Sequence, residues 1–204
     1  MNDEIRILQT TRLKGRPRIE DLSETLDLAR DTLESALRPM LGAGLLEEVK
    51  GRVKLTLEGR QRLETLFAAV RAGTDQTALS AAYHEFDSYN SRFKQLVTDW
   101  QLIDGERPND HTDADYDNTI IRRLSDLHAN FLELVARLAG IAPLLSDYPR
   151  RFTDALGRIT AGEHRWLAAP LIDSYHTVWF ELHENLIGLA GLSRVAEAAA
   201  GRAE

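Results

Sequence analysis

The chain has 204 residues, 43% of them hydrophobic, a net charge of −7 and no cysteine, which gives enough apolar content for a globular core and excludes disulfides and thiolate metal sites. No apolar stretch approaches the roughly 18 residues needed to span a bilayer, and the acidic opening Met1-Asn2-Asp3-Glu4-Ile5 lacks the apolar region of a signal peptide, so the expectation is a cytoplasmic protein with no membrane partner. Residues 1–73 carry 13 Lys/Arg against 12 Asp/Glu, residues 74–204 carry 12 against 20, and all six histidines lie in the second part; this asymmetry predicts two domains, 1–73 and 74–204, with different tasks.

Ile5, Leu8 and Leu13, with Ile7 between, predict a first helix over 2–14, ended by Gly15 and Pro17. Ile19, Leu22 and Leu26 share one face of a second helix, and Asp27-Leu28 makes a turn. A third helix over 29–41 buries Leu33, Ala36, Leu37, Met40 and Leu41, and its exposed side begins near Thr32. Gly42 and Gly44 suit the left-handed end of that helix. Residues 46–49 and 53–57 read as short strands around a Lys50-Gly51-Arg52 hairpin tip. Thr56 is placed to cap a helix over 57–71.

This order of two helices at a tight turn, a hairpin and an exit helix resembles the winged helix-turn-helix domain of MarR-like and GntR-like transcription regulators. The resemblance is carried by the Glu20-Asp-Leu-Ser-Glu-Thr-Leu26 helix, the Leu41-Gly-Ala-Gly-Leu-Leu46 turn and the Leu55-Thr-Leu-Glu-Gly-Arg60 exit, and covers roughly the first third of the chain. It implies a regulator of double-stranded DNA, with 29–41 as the recognition helix in the major groove and a homodimer reading two half-sites. By the same resemblance Arg30 and Arg38 contact phosphate or guanine edges, Thr32 and Ser35 contact phosphate, and Lys50 and Arg52 reach the neighbouring backbone from the wing. Arg12, Lys14, Arg16 and Arg18 add a basic cluster. The charges leave a second reading open. Arg30 and Arg38 are balanced by Asp31 and Glu34, and Glu20, Asp21 and Glu24 precede them. A protein-interaction or ligand-sensing module that does not bind DNA fits the same residues.

The second part reads as an all-α helical bundle, which makes the whole chain mainly α. A helix over 77–102 carries Tyr83, Phe86, Phe93, Val97 and Trp100 at helical spacing. After a polar loop over 105–111, Thr112 is the expected N-cap of a helix to Leu138, interrupted by Gly140 and Pro143. A further helix covers 149–160, and Pro170 is placed as the first residue of a last long helix to Leu189.

That last helix concentrates the polar chemistry. Tyr175, Trp179, Leu182 and Leu186 form a core stripe, and Asp173, His176, Phe180 and His183 form a second one beside it. Two imidazoles and a carboxylate in one row could hold a divalent metal, with help from His128, or an anionic small molecule; the plainer reading is a pair of hydrogen-bonded histidines at the core edge. Asn90, Lys94 and Trp100 on the 77–102 helix complete a candidate effector pocket with Asp173, His176 and His183. The run Asp173-Ser-Tyr-His-Thr-Val-Trp-Phe-Glu-Leu-His-Glu184, with Pro108-Asn-Asp-His111 and Thr98-Asp-Trp-Gln101, also resembles a helical tail of phosphoenolpyruvate-utilising dikinase-like proteins. That resemblance implies a sensing or docking role. No glycine-rich phosphate loop, nucleophile elbow or zinc motif is present, so neither an enzyme nor a cofactor is expected.

Overall fold

The computed structural model describes residues 3–192 and Glu197. The chain divides into two compact units, Met1–Thr74 and Asp75–Glu204. Among the described residues it is mainly helical, with eight α-helices and two short antiparallel strand pairs. No helix is long and apolar enough to cross a membrane among those residues.

In the first unit α1 (Asp3–Lys14), α2 (Ile19–Leu26), α3 (Arg30–Gly42) and α4 (Leu57–Gly73) enclose one core, with β1 (Leu46–Val49) and β2 (Arg52–Leu55) between the last two. Ile7, Leu8, Leu22, Leu33, Leu46, Val53 and Leu63 are almost completely buried, as the spacing of apolar residues on each helix requires. Asp27 ends α2 in a left-handed conformation (φ 52°), and the Leu28 amide donates back to Ser23 O at 3.1 Å. The Arg6 guanidinium adds a donor to the same helix end, 2.8 Å from Leu26 O, where carbonyls and the helix dipole both favour a cation. The chain therefore turns within three residues from α2 into α3.

The hairpin pairs Leu46 with Leu55 and Val49 with Arg52. Lys50 and Gly51 both have positive φ (54° and 72°), the geometry of a two-residue turn that follows strand twist. The Val53 amide donates to Pro17 O at 2.9 Å, and Arg18 bridges Arg52, so the segment before α2 fixes the far strand of the hairpin. Thr56 caps α4 as expected: its hydroxyl accepts from the Gly59 amide at 3.0 Å.

The second unit consists of α5 (Gln76–Gln101), α6 (Ala114–Ile141), α7 (Tyr148–Thr160) and α8 (Tyr175–Leu189), each packed on the next in the chain. Its core is aromatic. Trp179 lies between Phe93 and Phe131, with both ring centroids 4.2 Å away, and Phe152 meets it edge-on at 5.9 Å. Such offset and edge arrangements stabilise beyond the area they bury.

Three expectations for this half are corrected. The cap of α6 is Asp113, whose carboxylate accepts from the Asp115 and Tyr116 amides, while the Thr112 hydroxyl donates to Asp110; a carboxylate one residue nearer the helix takes the capping position. Helix α8 starts at Tyr175 and not at Pro170, because Ser174 caps it through the Thr177 amide and the His176 amide is drawn to Leu167 O at 3.0 Å. A small strand pair, β3 (Leu102–Ile103) with β4 (Arg107–Pro108), occupies the loop after α5. Its turn uses positive φ at Asp104 and Gly105, a signal too short for a strand period to show.

Candidate functional site

Each unit carries candidate residues. On α3, Arg30, Thr32, Ser35 and Arg38 are all exposed, as are Lys50 and Arg52 on the hairpin. Thr32, Ser35 and Arg38 recur every three residues and so share one side of the helix. Arg30 is drawn elsewhere: Nη1 lies 2.5 Å from Glu20 Oε1 on α2 and Nε lies 2.7 Å from Glu34 Oε1. Its hydrogen bonds to the Glu34 and Glu20 carboxylates raise its pKa, keeping it charged but engaged. Arg52 Nη1 donates to Arg16 O at 2.9 Å. Arg38 and Lys50 make no ion pair or hydrogen bond through their side chains among the described residues, so they remain the cations open to an outside partner.

In the second unit the six candidates do not form one pocket. Asn90 is buried, and its Oδ1 accepts from Trp179 Nε1 at 2.9 Å. His176 lies half-buried with its ring 5.9 Å from Phe93. His183 is buried, with Nε2 3.1 Å from the Tyr83 hydroxyl. These three pairs join α5 to α8 along one antiparallel seam. Lys94 is half-buried on α5. Trp100 sits at the far end of α5, its ring tilted against His111 at 4.4 Å and met edge-on by His164 at 5.9 Å. Asp173 leaves the histidine row for Arg151, 3.0 Å from Nη2.

The row of Asp173, His176 and His183 is therefore a row in sequence and not a coordination sphere. Among the described residues no group of three or more His, Asp or Glu comes together that could hold a metal ion. His128 is committed as well: its Nδ1 lies 3.1 Å from the Tyr175 hydroxyl, and burial lowers its pKa. Burial thus disfavours the charged form of His128 in the folded protein. Below the unfolded imidazole value of about 6.5 the unfolded chain takes up a proton that the fold refuses, so stability falls with pH from there through the depressed folded value. His128→Gln is expected to flatten that acid limb, measured as urea midpoints between about pH 7 and pH 5.

Two polar clusters had no distinct signature in the sequence. The first is Arg151 on α7, only 5% exposed. Its Nη2 meets Glu181 Oε2 at 2.6 Å and its Nε meets Asp173 Oδ2 at 3.1 Å, while its guanidinium lies 5.1 Å over the Tyr148 ring. Burial opposes the Arg151 charge, and the two carboxylates more than offset this, so its pKa is raised. The Tyr148 phenol, whose pKa burial pushes up, accepts from Asn185 Nδ2 at 2.6 Å. Glu181 and Asn185, four apart on α8, were the available hint. In the second cluster His111 Nδ1 lies 3.0 Å from Oδ2 of buried Asp117, which also accepts from Asn109 Nδ2 at 2.8 Å. The chain matches no protein-family model, no curated protein and no solved structure.

Proposed function

We propose that this chain is a DNA-binding transcriptional regulator, in which residues 1–73 act as a winged helix-turn-helix domain and residues 74–204 as a helical domain for ligand sensing and dimerisation. The observation that carries the reading is the exposed side of α3. Thr32, Ser35 and Arg38 stand there on a helix entered through a three-residue turn, followed by a hairpin that exposes Lys50 and Arg52 at its tip. Hydroxyls and cations so arranged suit phosphate and base edges. A cytoplasmic homodimer would present two copies of α3 to successive half-sites, and a small-molecule effector would act through the helical domain.

The capture of Arg30 by Glu20 and Glu34 favours a second reading, a winged-helix interaction or sensing module that does not bind DNA. Fluorescence anisotropy on labelled genomic duplexes over a salt series separates the two. Under the first reading the unmodified protein binds with a steep salt dependence, and Arg38→Ala combined with Lys50→Ala lowers the salt slope by about 2 per protomer and the affinity by roughly tenfold or more. Arg30→Ala changes the affinity less, because its charge is already shared with two carboxylates. Absence of duplex binding at about 50 mM salt removes the first reading.

A further inference from the structure

At one end of the α5–α8 seam three polar groups meet away from solvent. Tyr83, His183 and Glu197 are only 5%, 8% and 1% exposed. The Tyr83 hydroxyl donates to Glu197 Oε2 at 2.8 Å, and its oxygen lies 3.1 Å from His183 Nε2. A phenol has one proton to give. With that proton directed at the carboxylate, the contact to His183 requires Nε2–H to donate to the phenol oxygen, so donation runs from His183 through Tyr83 to Glu197. The Phe86 ring flanks both donors, 6.1 Å from Tyr83 and 5.0 Å from His183 between centroids. Apolar surroundings strengthen such a chain, and they make a buried carboxylate stable only where donors converge on it.

The two halves of this contact differ in origin. Tyr83 belongs to α5 and His183 to α8, and the aromatic seam from Phe86 to Trp179 holds those helices together. The Tyr83 hydroxyl and the His183 imidazole behind it therefore keep their positions whichever carboxylate the hydroxyl serves. Glu197 comes from beyond the end of α8 at Leu189, so its carboxylate is supplied by neither helix of the seam.

We propose that the Tyr83 hydroxyl, backed by His183, forms a receptor for one carboxylate, that Glu197 fills it as a tethered internal ligand, and that a small monocarboxylate acts on this protein by taking Glu197's place. For its regulatory meaning this rests on the ligand-sensing reading of the helical unit, which it deepens by naming the effector class and the site. A tethered group competes at an effective concentration on the order of millimolar. The effector is accordingly a carboxylate that is abundant, or one whose apolar body adds contact with Phe86.

Removal of the internal ligand tests this in the full chain. Glu197→Ala empties the receptor, propionate reproduces the end of the missing side chain, and propionamide is its neutral counterpart. Propionate is expected to raise the unfolding midpoint of Glu197→Ala saturably, with an apparent affinity about tenfold or more above that for the unmodified protein, while propionamide leaves it unchanged. Adding Tyr83→Phe is expected to cancel most of that affinity. Equal responses to the two compounds, or equal responses with and without the Tyr83 hydroxyl, overturn the proposal. Should Glu197→Ala not fold, Glu197→Gln takes its place. Its amide is a weaker acceptor than the carboxylate, so propionate must bind this variant more tightly than the unmodified protein, and equal affinities reject the receptor. No duplex enters the assay, so a failure here leaves DNA binding standing, and a protein that ignores duplexes can still bind propionate.

Discussion

Arg151→Ala is expected to lower the stability of the helical unit by about 3–5 kcal/mol, the range found when one partner of a buried ion pair is removed. The loss comes chiefly from what remains. Glu181 is 2% exposed and keeps its oxygen 2.6 Å from the guanidinium it would lose, and Asp173 loses the same partner. Two carboxylates then face each other without the cation that joined them. Arg151→Met separates charge from volume. It keeps most of the buried bulk of the stem but still takes the cation from the acids, so it is expected to recover only a minor part of the loss. Arg151→Met with Glu181→Gln and Asp173→Asn removes the charges together and is expected to lie closer to the unmodified protein than Arg151→Ala does, because replacing a whole buried ion network is far milder than breaking it. Urea unfolding read by circular dichroism checks the order. A triple variant no more stable than Arg151→Ala would mean that the stranded charges are not the source of the loss.

The same cluster shows where sequence reasoning reached its limit. Apolar periodicity located each long helix, because burial of Leu124, Phe131, Leu134 and Leu138 imposes a spacing on α6 that is readable without coordinates. Local chemistry located the turn at Asp27, the Lys50-Gly51 tip and the Thr56 cap, since each depends on neighbours within a few residues. Partner choice is not local. Asp173 lies three residues before His176, which suggests one row, yet Arg151 on α7 draws the carboxylate away from the imidazoles. Trp100 likewise shares α5 with Asn90 but stands against His111 at the other end of the unit. Tyr83, read only as a core aromatic, joins residues 100 and 114 positions away. The exposure of Arg30 was legible, whereas its engagement by Glu20 from a different helix was not. Side-chain competition across elements decides such cases, and periodicity carries no record of it.

Gly59→Ala is expected to destabilise the first unit by about 2–3 kcal/mol, and the sign of this effect is the informative part. Gly59 lies in the first turn of α4, where alanine is the better helix former by about 0.5–1 kcal/mol. Propensity alone therefore predicts stabilisation. Against it stands a backbone contact: a Cβ at this position would lie 2.0 Å from Leu45 O and 3.2 Å from Leu55 Cδ1. The Leu45 carbonyl cannot retreat freely. It accepts from the Thr56 amide at 3.2 Å, and the Thr56 hydroxyl that caps α4 lies 3.0 Å from it. To admit the methyl, α4 must move away from the start of the hairpin by about an ångström, loosening the cap and the Leu46 to Leu55 pairing together. Gly157→Ala is the matched control. It lies within α7 with nothing inside 4 Å of an added Cβ, so only the propensity gain remains and the helical unit is expected to become about 0.5–1 kcal/mol more stable. A midpoint lowered by roughly 10 °C in the first case and raised slightly in the second would place the Leu-Thr-x-x-Gly sequence as a clamp between hairpin and exit helix. Gly59→Ala unfolding at or above the temperature of the unmodified protein would show that α4 yields at no cost. If residues 1–73 bind duplex DNA, the same variant should also weaken that binding without touching Arg38 or Lys50, since the clamp sets where the hairpin carries its cations.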